Sequence, residues 1–174
     1  MSMLPMRSHI TPAFESQAGA EIAGDWISMK NYNKCMILMH EMRGADATAT
    51  VVRVDKARSV TGTNESTGMT MKHFWHIQDV VSVTGDVGAS VAALSDTWTK
   101  GTAAASYTGS VTQSVACYFM CDIQADELPD ATYQDYDCIQ LQVVSSNAAH
   151  TLSAQYILYE PRYSQLATPT AIIN

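Results

Sequence analysis

Few residues of this chain have a type and spacing that could do chemistry. His73 and His76 stand three apart. On a strand that spacing sends the two rings to opposite faces, which is wrong for a shared metal. The expectation is one core-side histidine between Met71 and Trp75 and one surface histidine. Cys117, Cys121 and Cys138 with His73 contain the atoms of a zinc site. Structural zinc, however, takes its paired thiolates from tight turns, whereas Cys117 and Cys121 flank Phe119 in mid-strand, where their sulfurs diverge. Asp122, Asp126, Glu127, Asp130, Asp135 and Asp137 give the densest charge. Calcium asks for about six to eight oxygens around a loop that a glycine folds tightly. No glycine lies between Asp122 and Asp137, so a solvated acidic loop capping one helical turn is expected.

Nucleophile motifs are missing as well. The chain contains no Gly-x-Ser-x-Gly, no Walker loop, no dinucleotide fingerprint and no His-Glu-x-x-His. Its paired carboxylates fall in turns with no lysine or histidine to separate their pKa values. No catalytic residue, metal or cofactor is expected, and the chain is not expected to be an enzyme. Tyr156, Tyr159 and Tyr163 gather near the end, with Trp26, Trp75 and Trp98 elsewhere. Such residues can build a glycan platform or an oligomer contact, but more often they lie in a core or on its rim.

The elements that hold these residues are strands. Val115, Cys117, Phe119, Cys121 and Ile123 fall on one face at period two, and Ile139, Leu141 and Val143 alternate with Cys138, Gln140 and Gln142. Alternation of this length specifies half-buried antiparallel strands over 115–123, 138–144 and 152–159. An acidic turn at 126–130 separates the first two, and a closing Glu160-Pro161-Arg162-Tyr163 follows the third. Earlier strands are expected over 24–30, 34–41 and 48–55, the last with Thr50, Val52 and Val54 on one side. Met69, Met71, His73, Trp75 and Ile77 share one face of another, which runs toward Val83. Weaker strand patterns occupy 90–96 and 108–113, and the one plausible helical turn is 125–128, stopped by Pro129.

This amounts to an all-β fold, an antiparallel β-sandwich or jelly roll of about eight to ten strands. It divides into an extended N-terminal arm at 1–23, the β-domain at 24–163 and an extended C-terminal arm at 164–174. Both arms lack a sustained period and carry Pro5, Pro12 and Pro169.

At 174 residues one domain with a sizeable core is expected. Charged residues make up 16%, against about 25% in typical soluble domains, which fits uncharged β-surfaces or a surface covered by neighbours. The ten Lys and Arg are scattered within a net charge of −7, so nucleic acid is not an expected partner. The apolar run 35–39 is far too short to span a bilayer, and the N-terminus lacks a signal-peptide pattern, so an origin in the cytosol is expected. Cys117 and Cys121 would have Cα atoms about 13 Å apart on one strand, beyond disulfide reach. Cys138 is expected on the polar side of its strand, and free, mostly buried thiols follow.

Three stretches also carry a family pattern: Asp25-Trp26-Ile27-Ser28-Met29-Lys30-Asn31-Tyr32, then Ala49-Thr50-Val51-Val52 through Met69 to Trp75, and Asp126-Glu127-Leu128 through Tyr159-Glu160-Pro161-Arg162-Tyr163. They resemble a family of small β-proteins of tailed phages and prophages, the capsid decoration or cement proteins. The resemblance spans most of 24–163, and Pro129 departs from it where the family tends to carry Asp.

What the resemblance implies is a structural virion protein that binds the outside of a capsid and stabilises it through its β-domain and arms. The implied partners are the major capsid protein and further copies of itself, as a trimer or a dimer. The implied place is the capsid outer surface, after synthesis in the host cytoplasm. Two other readings stay open at this level: a tail- or fibre-associated β-module binding a host glycan, and a hydrolase or lyase with no visible site.

Overall fold

The computed structural model describes residues 8–18, 21–45, 48–81, 97–109, 115–145 and 147–162. It is a sandwich of two antiparallel sheets. The strands are β1 (His9–Ala18), β2 (Ile22–Ala23), β3 (Ile27–Ser28), β4 (Tyr32–Met42), β5 (Val51–Ala57), β6 (His73–Val81), β7 (Thr99–Lys100), β8 (Tyr107–Thr108), β9 (Val115–Gln124), β10 (Cys138–Ser145) and β11 (Thr151–Pro161). One sheet has the order β1-β11-β4-β9-β6-β7. The other has the order β2-β10-β5-β8, with β3 also paired to β10. The chain changes sheet at every connection except those from β2 to β3 and from β6 to β7, so most pairings join distant residues.

The inner faces follow the sequence alternation. Ile37, Met39, Phe119, Cys121, Ile123, Tyr156 and Leu158 from the six-stranded sheet meet Ile27, Val52, Val54, Ile139, Leu141 and Val143 from the smaller one in a single core. An aromatic group fills one end, where Tyr107 lies 5.5 Å from Phe119, 5.6 Å from Phe74 and 4.9 Å from His76, centroid to centroid. Gly101 is required beside it, because a Cβ there would stand 2.0 Å from the Phe74 ring. Tyr156 crosses the core: its hydroxyl accepts from Leu141 N at 2.8 Å and donates to Asp25 O at 3.0 Å. The helical turn falls where expected, as a single 3-10 turn at Ala125–Glu127 that sets Leu128 into the core.

Several expectations are corrected. Residues 9–18, assigned to an extended arm, form an edge strand paired with β11 from His9–Leu158 to Ala18–Thr151. Register shifts at Pro12–Phe14 and Phe14–Gln17 erase the period that would have revealed it. Ile22 and Ala23, also given to the arm, pair with β10.

The strand expected at 24–30 is paired only at Ile27–Ser28, and its residues 26–29 are buried on both sides. Strand β6 has the opposite phase to the one expected: Phe74 enters the core, while His73 and Trp75 are paired on the outer side. The flip arises before the strand begins. Met69 N bonds to Val54 O of the other sheet and Met71 pairs with Ala104, so both methionines are buried outside the β6 ladder. Of the segment 108–113, Thr108 pairs with Val51. The expected strand at 90–96, the tail 164–174 and the first seven residues lie outside the described residues.

Candidate functional site

Each sheet has an outer face, and the chemistry of the two differs. In the middle of β10 and β5 the outward residues Gln140, Gln142, Arg53 and Asp55 are polar and already engaged, between Val51 and Val144 at one end and Ala57 and Cys138 at the other. Gln140 Nε2 donates to Gly24 O at 2.5 Å and Gln142 Nε2 to Gln140 Oε1 at 2.6 Å. Asp55 is fully buried, accepts from Gly68 N at 2.7 Å and pairs with Arg53 Nε at 3.0 Å. The turn from Arg58 to Gly68 lies over this end, with Trp26, Ala57 and Cys138 forming a small second cluster beneath it. Gly62 takes a φ of +72° there, and a Cβ on it would meet the Trp26 indole at 3.0 Å.

The outer face of the six-stranded sheet is built otherwise. Cross-strand register places Ile10, Ile157, Met36, Asp122 and His73 in one row. Pro12, Gln155, Leu38, Met120 and Trp75 form the next, which ends at the sheet edge in exposed Lys100 of β7, and Ser153, His40, Tyr118 and Ile77 form the third. No described element packs across these rows. A groove of about 340 Å³ opens between Ile10, Pro12, Leu38, His40, Tyr118 and Gln155. Ile10 is 61% exposed, and the other large apolar side chains shield one another into a half-buried layer.

Charge is confined to the border of that layer. Tyr159 donates its hydroxyl to Asp122 Oδ1 at 2.5 Å, and burial with that carboxylate pushes the phenol upward, so it stays neutral. Lys34 Nζ and Glu160 Oε1 neutralise each other at 2.8 Å beside it. His40 stacks obliquely on Tyr118 at 4.8 Å, and burial lowers its pKa, which keeps the imidazole neutral near pH 7. The surface is wide and largely apolar at its centre, and it offers contact area.

One buried polar group has an enzyme-like composition. Thr50 Oγ1 donates to Glu41 Oε1, and His150 Nδ1 stands 3.0 Å from the same oxygen. Arg43 beside it donates Nη2 to Thr48 O at 2.6 Å. All four residues are buried, and the space next to Glu41 and Thr50 is a cavity of about 10 Å³. The threonine gives its proton to the carboxylate, and the cavity beside it among the described residues has room for about one water molecule. The group works as a structural tie between β4, the segment entering β5 and the turn before β11. Residues 41, 50 and 150 have no motif spacing, so nothing in the sequence announces them.

The residues singled out from the sequence are dispersed. His73 and His76 do face opposite ways, but His76 is the inward one, neutral through burial against Tyr107. All four cysteines are buried free thiols; burial pushes those of Cys35, Cys121 and Cys138 far above the usual thiol range. Cys138 points away from Ile139 to the polar side of its strand as expected, where its Sγ donates to Asp137 Oδ1 at 3.0 Å, and it is buried there beside Trp26 and Ala57. Among the described residues no group of three His, Cys, Asp or Glu could hold a metal.

The acidic turn is not a freely solvated loop. Lys56 Nζ pairs with Asp130 at 2.8 Å, donates to Leu128 O at 2.8 Å and lies 4.6 Å from the Tyr136 ring centroid. That bond, with backbone donors from Tyr133 and Thr132, holds the Asp130 carboxyl down at about 2. Glu127 pairs with Lys72 at 3.3 Å, and Asp135 with Arg58. The aromatics divide as well: Tyr156 and Trp26 are buried, Tyr159 and Trp75 stand on the outer face, and Trp98 is 39% exposed on a loop. Tyr163 lies outside the described residues.

No protein-family model matches the chain, and no curated protein matches it. Among solved structures it is similar to the SPBc2 prophage-derived protein YomS, at 7% identity and a TM-score of 0.45, over 87% of this chain and 91% of that one.

Proposed function

We propose that this chain is a structural virion protein that binds the outside of a phage capsid and stabilises it. The observation that carries the reading is the open outer face of the six-stranded sheet, where Met36, Leu38, Met120, Trp75, Ile157 and Ile10 form an uncharged layer on a rigid scaffold. A contiguous apolar layer of that kind marks a surface made to be covered by protein. The family resemblance of the Trp26–Tyr32 and Glu160–Tyr163 motifs supplies the setting.

The expected partners are the major capsid protein and other copies of the chain, and no catalytic step is assigned. Contacts once expected from a long N-terminal arm pass to the domain itself, because β1 and β2 are part of the sheets. Quantitative mass spectrometry of purified virions, before and after mild stripping of the head surface, tests the proposal. It expects a copy number in fixed ratio to the capsid protein and stripped heads that open at lower temperature. Absence from virions, or stripping with no change in head stability, would overturn it.

A further inference from the structure

We infer that the outer face of the six-stranded sheet packs against the same face of a second copy, sheet on sheet. The inference gives the same face a different occupant from the capsid proposal, and it rests only on reading the chain as an assembling structural protein. Three observations point to this occupant.

The first is charge. With seventeen acidic against ten basic residues and a net charge of −7, two copies repel wherever acidic surface meets acidic surface. The three outward rows carry a single carboxylate, Asp122, which is bonded to Tyr159 and opposite His73 on the next strand, and one lysine, Lys100, at the far edge strand. The nearest ion pair, Lys34–Glu160, cancels itself at the border. This face can therefore approach its own copy without the penalty that the rest of the surface imposes.

The second observation is area. Five strands at about 4.8 Å spacing and three to four outward rows about 6.8 Å apart cover on the order of 500–600 Å². Two such faces bury about 1,100 Å², just above the roughly 1,000 Å² that a specific pair needs.

The third is shape and symmetry. A twofold contact must be self-complementary, which apolar rows of Met, Leu, Ile and Trp satisfy without matched charges. Two sheets meeting face to face reproduce the packing already used inside the molecule. Met36 and Met120, long and adaptable, suit interdigitation across such a seam.

Sedimentation velocity of the full chain, across a dilution series, is the test. A reversible dimer dissociating in the micromolar range is expected from an interface of about this size. The variant Leu38→Glu with Met120→Glu should raise the dissociation constant at least about hundredfold, with far-UV circular dichroism and cooperative melting retained. A second variant, Gln142→Glu on the outer face of the smaller sheet, should leave the dimer intact.

A chain that stays monomeric at high concentration overturns the inference, as does a double variant that still dimerises. A monomer whose face becomes sticky only when residues 163–174 are deleted also overturns it, and assigns the face to the chain's own tail. Head binding separates the two proposals. Dimers that fail to load heads sink the capsid reading and keep this one. Monomers that load heads through this face do the reverse.

Discussion

The two outer faces of the sandwich obey the same alternation and end in opposite chemistries. On the smaller sheet Gln140, Gln142, Arg53 and Asp55 spend their hydrogen bonds on each other and on nearby backbone, and the turn with Trp26 closes one end. On the larger sheet the same outward positions are Met36, Leu38, Met120 and Trp75, with nothing described lying over them. An antiparallel sheet with one wet face alternates apolar and polar; one that is apolar on both faces is meant to be covered twice. The difference teaches that the inner faces hold the fold together, and that among the described residues the outer face of the smaller sheet is the one whose polar groups are satisfied within the chain.

Substitutions at matched depths should break or sharpen that contrast. The largest loss is expected inside. Ile139→Ala empties a fully buried site and should cost about 2–5 kcal/mol in urea unfolding. Leu38→Ala, outward on the other sheet, should cost the isolated chain only about 1 kcal/mol. Equal losses would mean that the outer face is already covered within the molecule.

Tyr156→Phe should follow, at about 1–3 kcal/mol, because it strips the hydroxyl shared by Leu141 N and Asp25 O and so loosens the tie between the sheets. An unchanged urea midpoint would deny that tie.

The corner joining the sheets should respond to pH. Asp130 is held at about 2, below its ordinary 3.8, so its pairing with Lys56 stabilises the fold at any pH above 3.8. That contribution is lost as pH falls through 3.8 toward 2. Asp130→Asn should be less stable than the parent near neutrality and converge with it in that acid window, as read by melting temperature against pH. Parallel curves would remove the ion pair from the account. The smallest effect is expected at Lys34→Gln, whose pair with Glu160 is exposed and screened by solvent, so the urea midpoint should stay almost unchanged.

How much of this was legible in the sequence depends on whether the signal was local. The inward sets of β9, β10 and β5 follow from period two alone, as do the free thiols that such strands keep apart. Strand β1 was hidden because its register shifts around Phe14 break the period, and Pro12 reads as a loop residue. The phase of β6 was misjudged because Met69 and Met71 are buried by bonds to other segments, not by the ladder they precede. Ion pairs such as Lys56–Asp130 join residues far apart in the chain and have no local trace. The outer face did leave a sign: the unbroken apolar run from Cys35 to Met39 in β4 is apolar on both faces of its strand, although its length alone only excludes a membrane-spanning helix at that run.

Methionine oxidation measures the central claim most directly, because the chain carries its own probes on both sides of the sheet. Met36 and Met120 face outward, whereas Met29, Met39 and Met71 are buried in the core. Dilute peroxide followed by peptide mass mapping reads each rate, first on protein diluted to single copies and then on protein assembled in pairs or on heads. The account predicts that Met36 and Met120 oxidise in the single copy and fall silent on assembly, with the core methionines slow throughout. Equal rates at Met36 and Met120 before and after assembly would contradict it.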